Sequence, residues 1–152
     1  MKQKRQIEVL ARGVCVKRGK LLLCHSKGAS NTYLPGGHVE FTEAARGSLA
    51  REIREELGVR AQIGRFLGAV EHTFVQHGVP HCEINLVFEM RIPALDPRRE
   101  PRAREDHIEF RWVPIGGLEA SALEPSVLRG TLGKWLSAGW RGDRWASTIP
   151  PA

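Results

Sequence analysis

The chain has 152 residues, which is enough for one good hydrophobic core and too few for two ordinary domains. Its apolar share of 41% and its charged share of 26% lie near the averages of soluble globular proteins, so composition indicates neither a disordered chain nor a membrane protein. The formal net charge of +6 is compatible with phosphate-bearing substrates, but it is also typical of an ordinary soluble surface.

The first residues and the cysteines bear on the compartment. No apolar run approaches the roughly 18 to 20 residues that span a bilayer, and the basic residues 1–5 lead into an alternating pattern instead of a signal core. Cys15, Cys24 and Cys82 are odd in number and widely spaced, which favours buried thiols over disulfides, and no CxxC pair is present to hold zinc. We therefore expect a cytoplasmic protein with no membrane partner.

Two antiparallel strands are predicted at the start of the chain. Between Gln6 and Val16, apolar residues alternate with charged ones, as in a half-buried strand. Residues 21–23 are three leucines in a run of buried-strand length, and the small and polar residues 27–31 indicate a loop.

An amphipathic helix is predicted from Glu43 to Leu57. The apolar residues of this segment recur every four positions and form one stripe: Ala45, Leu49, Ile53 and Leu57. Thr42 is the predicted N-cap, and Gly58 lies where a helix commonly ends in a left-handed residue. The pair Gly36-Gly37 ahead of the helix indicates a flexible turn.

Further strands and a second helix are predicted downstream. In chain order these are a strand from Gln62 to Gln76, a strand from Cys82 to Ile92, a charged loop over residues 96–106, a strand from Glu109 to Val113 and a helix from Pro125 to Ala138. The first two of these strands join at His77-Gly78, and residues 139–152 show little pattern. We therefore predict a single domain over residues 1–152, with its core at about residues 6–138.

Three carboxylates are placed together by the first helix. Glu52, Glu55 and Glu56 stand at i, i+3 and i+4, so they emerge from one helix face, where like charges repel each other unless they are neutralised. The three glutamates by themselves are compatible with a solvated acidic surface. They also suit magnesium, which prefers hard oxygen ligands and usually takes a few carboxylates together with substrate phosphates.

The surrounding spacing resembles a known motif. Gly37 is followed after five residues by Glu43 and after seven more by residues 51–59, which read Arg-Glu-Ile-Arg-Glu-Glu-Leu-Gly-Val. These positions are similar to the complete box of the Nudix hydrolases. The resemblance implies an α/β fold, namely an α/β/α sandwich around a mixed β-sheet, with the box as a loop, a helix and a loop.

The resemblance also implies a set of site residues. It makes Glu52, Glu55 and Glu56 the metal-binding carboxylates and the Gly36 carbonyl a further ligand of Mg²⁺, for which Mn²⁺ is a possible substitute. The implied partner of Arg51 is Glu43, and their ion pair would brace the loop against the helix.

The reaction implied by the resemblance is attack of water on a phosphorus of a nucleoside diphosphate linked to another group, as in a nucleoside triphosphate, a nucleotide sugar or ADP-ribose. The general base differs among relatives, and Glu52 is our first candidate. Glu105 is the second candidate and a possible additional metal ligand, although a solvated loop charge explains it equally well.

Substrate contacts are predicted at Gly37, Tyr33 and Phe74. A glycine lets the backbone approach a ligand closely, and an aromatic ring can stack on a base. Trp112 is interpreted as a core residue. The histidines around the predicted hairpin are compatible with phosphate contacts but are often incidental in turns: His72, His77 and His81.

Two alternatives and one assembly state stay open at this point. Four arginines at positions 98, 99, 102 and 104, together with the net positive charge, are compatible with an RNA 5′-end pyrophosphohydrolase, so nucleic acid is a possible but not favoured partner. A nucleotide-binding module without catalysis is the other alternative, which the intact glutamates disfavour. A homodimer is also possible, because dimers are common among relatives.

Overall fold

A computed structural model describes residues 5–152, so most of the predicted basic start lies outside the described residues. Within the described range the helices are α1 (Ala45–Leu57) and α2 (Leu128–Leu136). The strands are β1 (Glu8–Val14), β2 (Val16–Lys17), β3 (Lys20–Ser26), β4 (Thr32–Tyr33), β5 (Gly36–His38), β6 (Gln62–Gln76), β7 (Val79–Arg91), β8 (Ile108–Pro114), β9 (Leu123–Glu124) and β10 (Trp145–Ser147).

The strands form two sheets. The first has the order β10-β6-β7-β1-β5; β10 pairs with β6 and β1 with β7 in parallel, while the other pairs are antiparallel. In the second sheet β3 is antiparallel to β2, β4 and β8, and β4 is parallel to β9. The predicted mixed sheet is confirmed, with its strands divided between two sheets.

The side chains of β3 show how the layers are stacked. Leu22 and Cys24 belong to one buried cluster, which includes the apolar stripe of α1. Leu21 and Leu23 belong to a second cluster, which includes Trp135 and the other buried residues of α2. Because successive residues of a strand point to opposite faces, the two helices cover opposite faces of the strand layer. This arrangement is the predicted α/β/α sandwich.

The first helix begins later than predicted. Thr42 has a left-handed backbone (φ 67°), and the Glu43 N–H donates to the Glu40 carbonyl, so these two residues lie in a turn ahead of the helix. The N-cap is Ala44, which makes no side-chain hydrogen bond. The predicted cap at Thr42 and start at Glu43 are therefore wrong. The predicted end is confirmed, because Gly58 is left-handed (φ 69°) and its N–H donates to the Arg54 carbonyl.

Several other boundaries differ from the prediction by a few residues. The turn at His77-Gly78 is confirmed, with φ of 50° and 75°, and β7 starts directly after it at Val79. The second helix starts at Leu128 instead of Pro125. The predicted tail contains β10, which pairs with residues 69–71 of β6 and extends the first sheet.

Two further predictions concern the cysteines and the membrane. Cys15 and Cys24 are buried free thiols, as predicted, whereas Cys82 is a free thiol that is only partly buried. No helix within residues 5–152 is long and apolar enough to cross a membrane.

Candidate active site

The helix α1 carries the three predicted carboxylates beside its buried stripe. Glu55 is exposed, whereas Glu52 and Glu56 are partly buried. The Oε2 atom of Glu56 is buried and has no hydrogen-bond partner among residues 5–152. Burial raises the pKa of Glu56 to about 8, and the negative charges of Glu52 and Glu105 add to this shift. The helix thus holds an uncompensated acidic group below its surface.

One guanidinium connects the carboxylates. Arg51 donates from Nε and Nη2 to the two oxygens of Glu43, at 3.0 and 3.2 Å, which is the predicted brace between loop and helix. Its Nη1 donates to Glu52 Oε1 and to both oxygens of Glu55, each at 3.2 Å. These contacts raise the pKa of Arg51 above its ordinary value, and the hydrogen bonds to Glu43 make the largest contribution. Arg51 therefore orients two of the three helix carboxylates.

The two glycines ahead of the helix make room for different neighbours. A Cβ on Gly37 would lie 2.5 Å from the carboxyl carbon of Glu52, so Glu52 packs directly on the Gly37 backbone. A Cβ on Gly36, where φ is 139°, would collide with the Ala11 carbonyl of β1. Between β1 and β5, the Gly13 N–H donates to the Pro35 carbonyl and the Val39 N–H donates to the Val9 carbonyl. These hydrogen bonds lie on either side of Gly36. Because antiparallel pairs alternate, the Gly36 carbonyl points away from β1.

The charged loop closes over the end of α1. The Arg104 N–H donates to the Glu56 carbonyl at 2.7 Å, and the Arg104 side chain lies over Gly58. Glu105 is close enough for its charge to raise the pKa of both Glu52 and Glu56. The structure thus brings the second base candidate to the same acidic cluster as the helix residues.

The donor set fits a divalent cation. Glu56 offers a buried carboxylate oxygen without a partner, and the backbone at Gly36 and Gly37 approaches the acidic face closely. Hard oxygen ligands of this kind are what Mg²⁺ prefers. Across residues 5–152, no three acidic, histidine or cysteine side chains already converge as a ligand group. The Glu52 and Glu55 carboxylates instead accept hydrogen bonds from the Arg51 guanidinium.

A cleft of about 590 Å³ opens on the face of the first sheet that is covered by α2. Its floor is formed by side chains of β1, β6 and β7, and its opposite wall by the segment around Asn31 and by the start of α2. Arg12 lines this cleft, and its positive charge also lowers the pKa of Glu56. The lining includes no residue of the acidic cluster, so Arg12 is the group that connects the two regions.

The predicted aromatic contacts both line the cleft, but neither ring is a free stacking platform. The Phe74 ring is itself stacked with His72 and with His81, with ring centroids 5.2 and 4.9 Å away. The Tyr33 ring lies 5.4 Å below the Arg12 guanidinium. Stacking of Phe74 on a base stays a prediction, and it would require one of these histidine rings to move.

The other predicted aromatic and histidine residues lie in different parts of the structure. Trp112 packs against the α1 cluster and donates to the Arg99 carbonyl at 3.1 Å, as expected of a core residue. His77 is exposed in its turn. His72 lines the cleft, where its Nδ1 lies 2.7 Å from Thr148 Oγ1, and burial lowers its pKa. The neutral imidazole is thus favoured there.

Sequence reasoning missed the polar residues on the cleft floor. Arg12, Glu83 and Asn85 all line the cleft, and Asn85 is only 2% exposed. A polar residue interrupting an apolar strand is the available signal, as in Ile84-Asn85-Leu86. The alternation between Gln6 and Val16 does not single out Arg12, because it identifies two faces of a strand and does not tell which of them borders a cavity.

Comparison with known proteins agrees with this geometry. The family model described as NUDIX domain matches residues 4–131. Diphosphoinositol polyphosphate phosphohydrolase 2 of Rattus norvegicus is 40% identical over 57 residues, which are 38% of this chain and 32% of that protein. CTP pyrophosphohydrolase of Escherichia coli K12 is 36% identical over 69 residues, which are 43% of this chain and 50% of that protein. The matched segments thus cover a third to a half of these curated relatives.

Solved structures show the same fold. A MutT NUDIX hydrolase from Burkholderia pseudomallei has a TM-score of 0.60 and 29% identity, over 73% of this chain and 85% of that one. A MutT protein from Methanosarcina mazei Go1 has a TM-score of 0.67 at 23% identity, over 88% of this chain and 96% of that one.

Proposed function

Because this chain belongs to the NUDIX family, we propose that it is a hydrolase of the phosphoanhydride bond in a small nucleoside diphosphate derivative, and that it requires Mg²⁺. The family resemblance and the fold predicted from the sequence are confirmed. A phosphoanhydride hydrolase is also the enzyme class that the names of both curated relatives support.

One observation carries the proposal: within the described part of the chain, the buried Glu56 Oε2 has no hydrogen-bond partner, and it lies in an acidic cluster near a nucleotide-sized cleft. A carboxylate in such a place is costly unless a cation compensates it. The proposed ligands are Glu52, Glu55, Glu56 and the Gly36 carbonyl, with Glu105 as an additional candidate. When bound, the cation would neutralise phosphate oxygens and lower the pKa of a bound water.

The chain's own residues have separate proposed roles. Arg51 orients Glu52 and braces the loop through Glu43. Arg12 lines the cleft and its charge acts on Glu56, so its guanidinium is suited to bind a phosphate of the nucleotide. Attack of water forms a new P–O bond, breaks the bridging P–O bond and releases a proton. We assign the proton to Glu52, with Glu105 as the second candidate acceptor.

The test combines a substrate panel with charge-neutral variants. Nucleoside diphosphates, triphosphates, nucleotide sugars and ADP-ribose are incubated with Mg²⁺, with Mn²⁺ or with a chelator, and the products are separated by ion-exchange chromatography. We expect cation-dependent turnover that falls by at least about a hundredfold in Glu55→Gln and Glu56→Gln, because each variant removes a charged ligand. Glu89→Gln is the matched control, since Glu89 pairs with Arg65 away from the cleft.

Circular dichroism of each variant separates loss of function from loss of fold. Full activity of both Glu55→Gln and Glu56→Gln would exclude the assigned roles. Turnover that persists in the chelator would exclude the proposed cation requirement.

The RNA alternative gains no support from the charged loop. Its four arginines are balanced by four acidic residues within the same segment: Asp96, Glu100, Glu105 and Asp106. Arg98 pairs with Asp96 at 2.9 Å, and the side chain of Arg104 covers Gly58. A loop with no net charge is a poor match for an RNA backbone. A small nucleotide is therefore the proposed substrate.

A further inference from the structure

A directed chain of hydrogen bonds crosses the floor of the cleft. Arg12 Nε donates to Asn85 Oδ1 at 3.3 Å, and Asn85 Nδ2 donates to Glu83 Oε2 at 3.2 Å. A guanidinium can only donate, so the Asn85 atom that faces Arg12 must be its oxygen, and its amide nitrogen must face Glu83. The direction of this chain is thereby fixed, and it ends on an acceptor.

The terminal acceptor faces the ligand space. Glu83 lines the cleft, and its hydrogen bond from Asn85 uses only Oε2. An ionised carboxylate has about four acceptor positions, so Glu83 keeps capacity for a donor from a ligand. The other cleft carboxylate, Glu124, accepts from Arg129 at 3.2 Å, which partly neutralises it. Glu83 is therefore the stronger acceptor presented to a substrate.

Nucleobases differ in what they present to such an acceptor. Cytosine and adenine carry an exocyclic amino group at the position where uracil and hypoxanthine carry a carbonyl oxygen. An amino group can donate a hydrogen bond to a carboxylate. A base carbonyl in the same place would put two acceptors opposite each other, the carbonyl oxygen and the carboxylate oxygen, with no proton to share. The penalty for such unpaired polar groups is what gives polar sites their selectivity.

We propose that Glu83, held by Asn85 and Arg12, selects nucleotides whose base carries an exocyclic amino group over their carbonyl counterparts. This inference rests on the proposed function and adds the substrate class within it. Glu83 acts as a specificity residue, because it contacts the base and takes no part in the bond that is broken.

The test uses two substrate pairs that differ at the amino position: CTP with UTP, and ATP with ITP. For the wild-type enzyme we expect kcat/KM to favour the amino member of at least one pair by about tenfold or more, the effect of one hydrogen bond to a charged group. In Glu83→Gln, the Asn85 Nδ2 still needs an acceptor, and the oxygen of the new amide can provide it. The NH₂ of the new amide should then face the ligand. The preference should then shift toward UTP or ITP.

Glu89→Gln serves as the matched control, because Glu89 lies on the same strand and outside the cleft. It should keep the wild-type preference. A third substrate pair, CTP with dCTP, tests whether Glu83 instead accepts from the sugar. A penalty for dCTP that disappears in Glu83→Gln would reassign Glu83 to the ribose and overturn the inference.

Further outcomes separate this inference from the proposed function. Hydrolysis of all four nucleotides with ratios below about threefold would overturn the base selection and leave the hydrolase standing. If none is hydrolysed, titration calorimetry of CTP and UTP decides the question without turnover. Equal affinities would overturn the selection, and at least tenfold tighter binding of CTP would support it. The wild-type ratios keep the test decisive even if Glu83→Gln does not fold.

Discussion

Of the two adjacent glycines ahead of α1, one is expected to matter for turnover and the other for stability. We expect Gly37→Ala to reduce turnover at least about tenfold with little loss of stability, because its Cβ displaces the Glu52 carboxylate, which is the end of a flexible side chain. Gly36→Ala should instead destabilise the fold by roughly 1 to 3 kcal/mol, since φ is 139° and its Cβ meets the backbone of β1. Kinetics and urea unfolding of both variants check this contrast, and similar losses of stability in the two would contradict it.

The acidity of Glu56 gives a pH-dependent prediction for the metal-free protein. Its pKa is about 8 when folded, above the ordinary value of 4.5, mainly because the group is buried. The folded chain therefore keeps a proton that the unfolded chain has lost between these values, and stability should fall as pH rises through this window. Glu56→Gln should remove this dependence and be more stable than wild type by about 3 kcal/mol at pH 7.

Urea unfolding in a chelator from pH 5 to pH 9 measures this difference. Parallel stability profiles of wild type and Glu56→Gln would contradict the prediction. Added Mg²⁺ should raise the unfolding midpoint of wild type at pH 8 more than that of the variant, because a ligand that binds only the folded state stabilises it.

The sequence predicted one half of the site better than the other. Helical periodicity is local, so the spacing of Glu52, Glu55 and Glu56 determines that they share a face. The cleft floor depends on which strands lie side by side. Arg12 and Asn85 are 73 residues apart and meet only because β1 pairs with β7. No local sequence pattern predicts that these two strands pair.

At the scale of elements, β10 is both an edge strand and a brace for the cleft. Arg144 donates to the Leu67 carbonyl at 2.8 Å, and Thr148 contacts His72 on the cleft floor. We expect deletion of residues 139–152 to cost about 3 kcal/mol, which corresponds to a fall in Tm of roughly 6 to 12 °C. It should also promote aggregation, because β6 becomes an exposed edge.

Thermal unfolding and light scattering compare this truncation with Thr148→Val, which removes only the hydroxyl near His72. The valine variant should stay monodisperse and lose about 1 kcal/mol or less. A truncated chain that is as stable and as monodisperse as wild type would contradict the proposed bracing role of β10.

Element boundaries were predictable where the local signal was strong. The strand β6 has the predicted bounds, and the turn after it follows from His77-Gly78. The start of α1 was predicted two residues early, because Thr42 is a residue type favoured as a cap but has a left-handed backbone here. β10 has three residues, too few for its alternation to be recognised.

At the scale of the whole molecule, the two buried clusters are connected through single strands. Leu22 contributes to the α1 cluster and Leu23 to the α2 cluster, and both are fully buried. We therefore expect one cooperative unfolding transition. Leu22→Ala and Leu23→Ala should each cost about 2 to 5 kcal/mol and lower the same Tm.

Scanning calorimetry of the variants tests this coupling, with Val75→Ala as the control, since Val75 is 70% exposed and should have almost no effect. Two transitions that respond separately to the two leucine variants would contradict a single domain. The layer order itself was accessible from the sequence only through the family resemblance, because hydrophobic alternation does not specify which strands form which sheet.

Arg51 gives the helix a resident counterion. Its guanidinium touches Glu43, Glu52 and Glu55 at the same time, so one of their three negative charges is already compensated before an outside ion arrives. An incoming ion must compete with a monovalent group that cannot diffuse away. Entry into the helix face is therefore an exchange reaction, and it favours ions of high charge density over potassium or sodium at equal concentration.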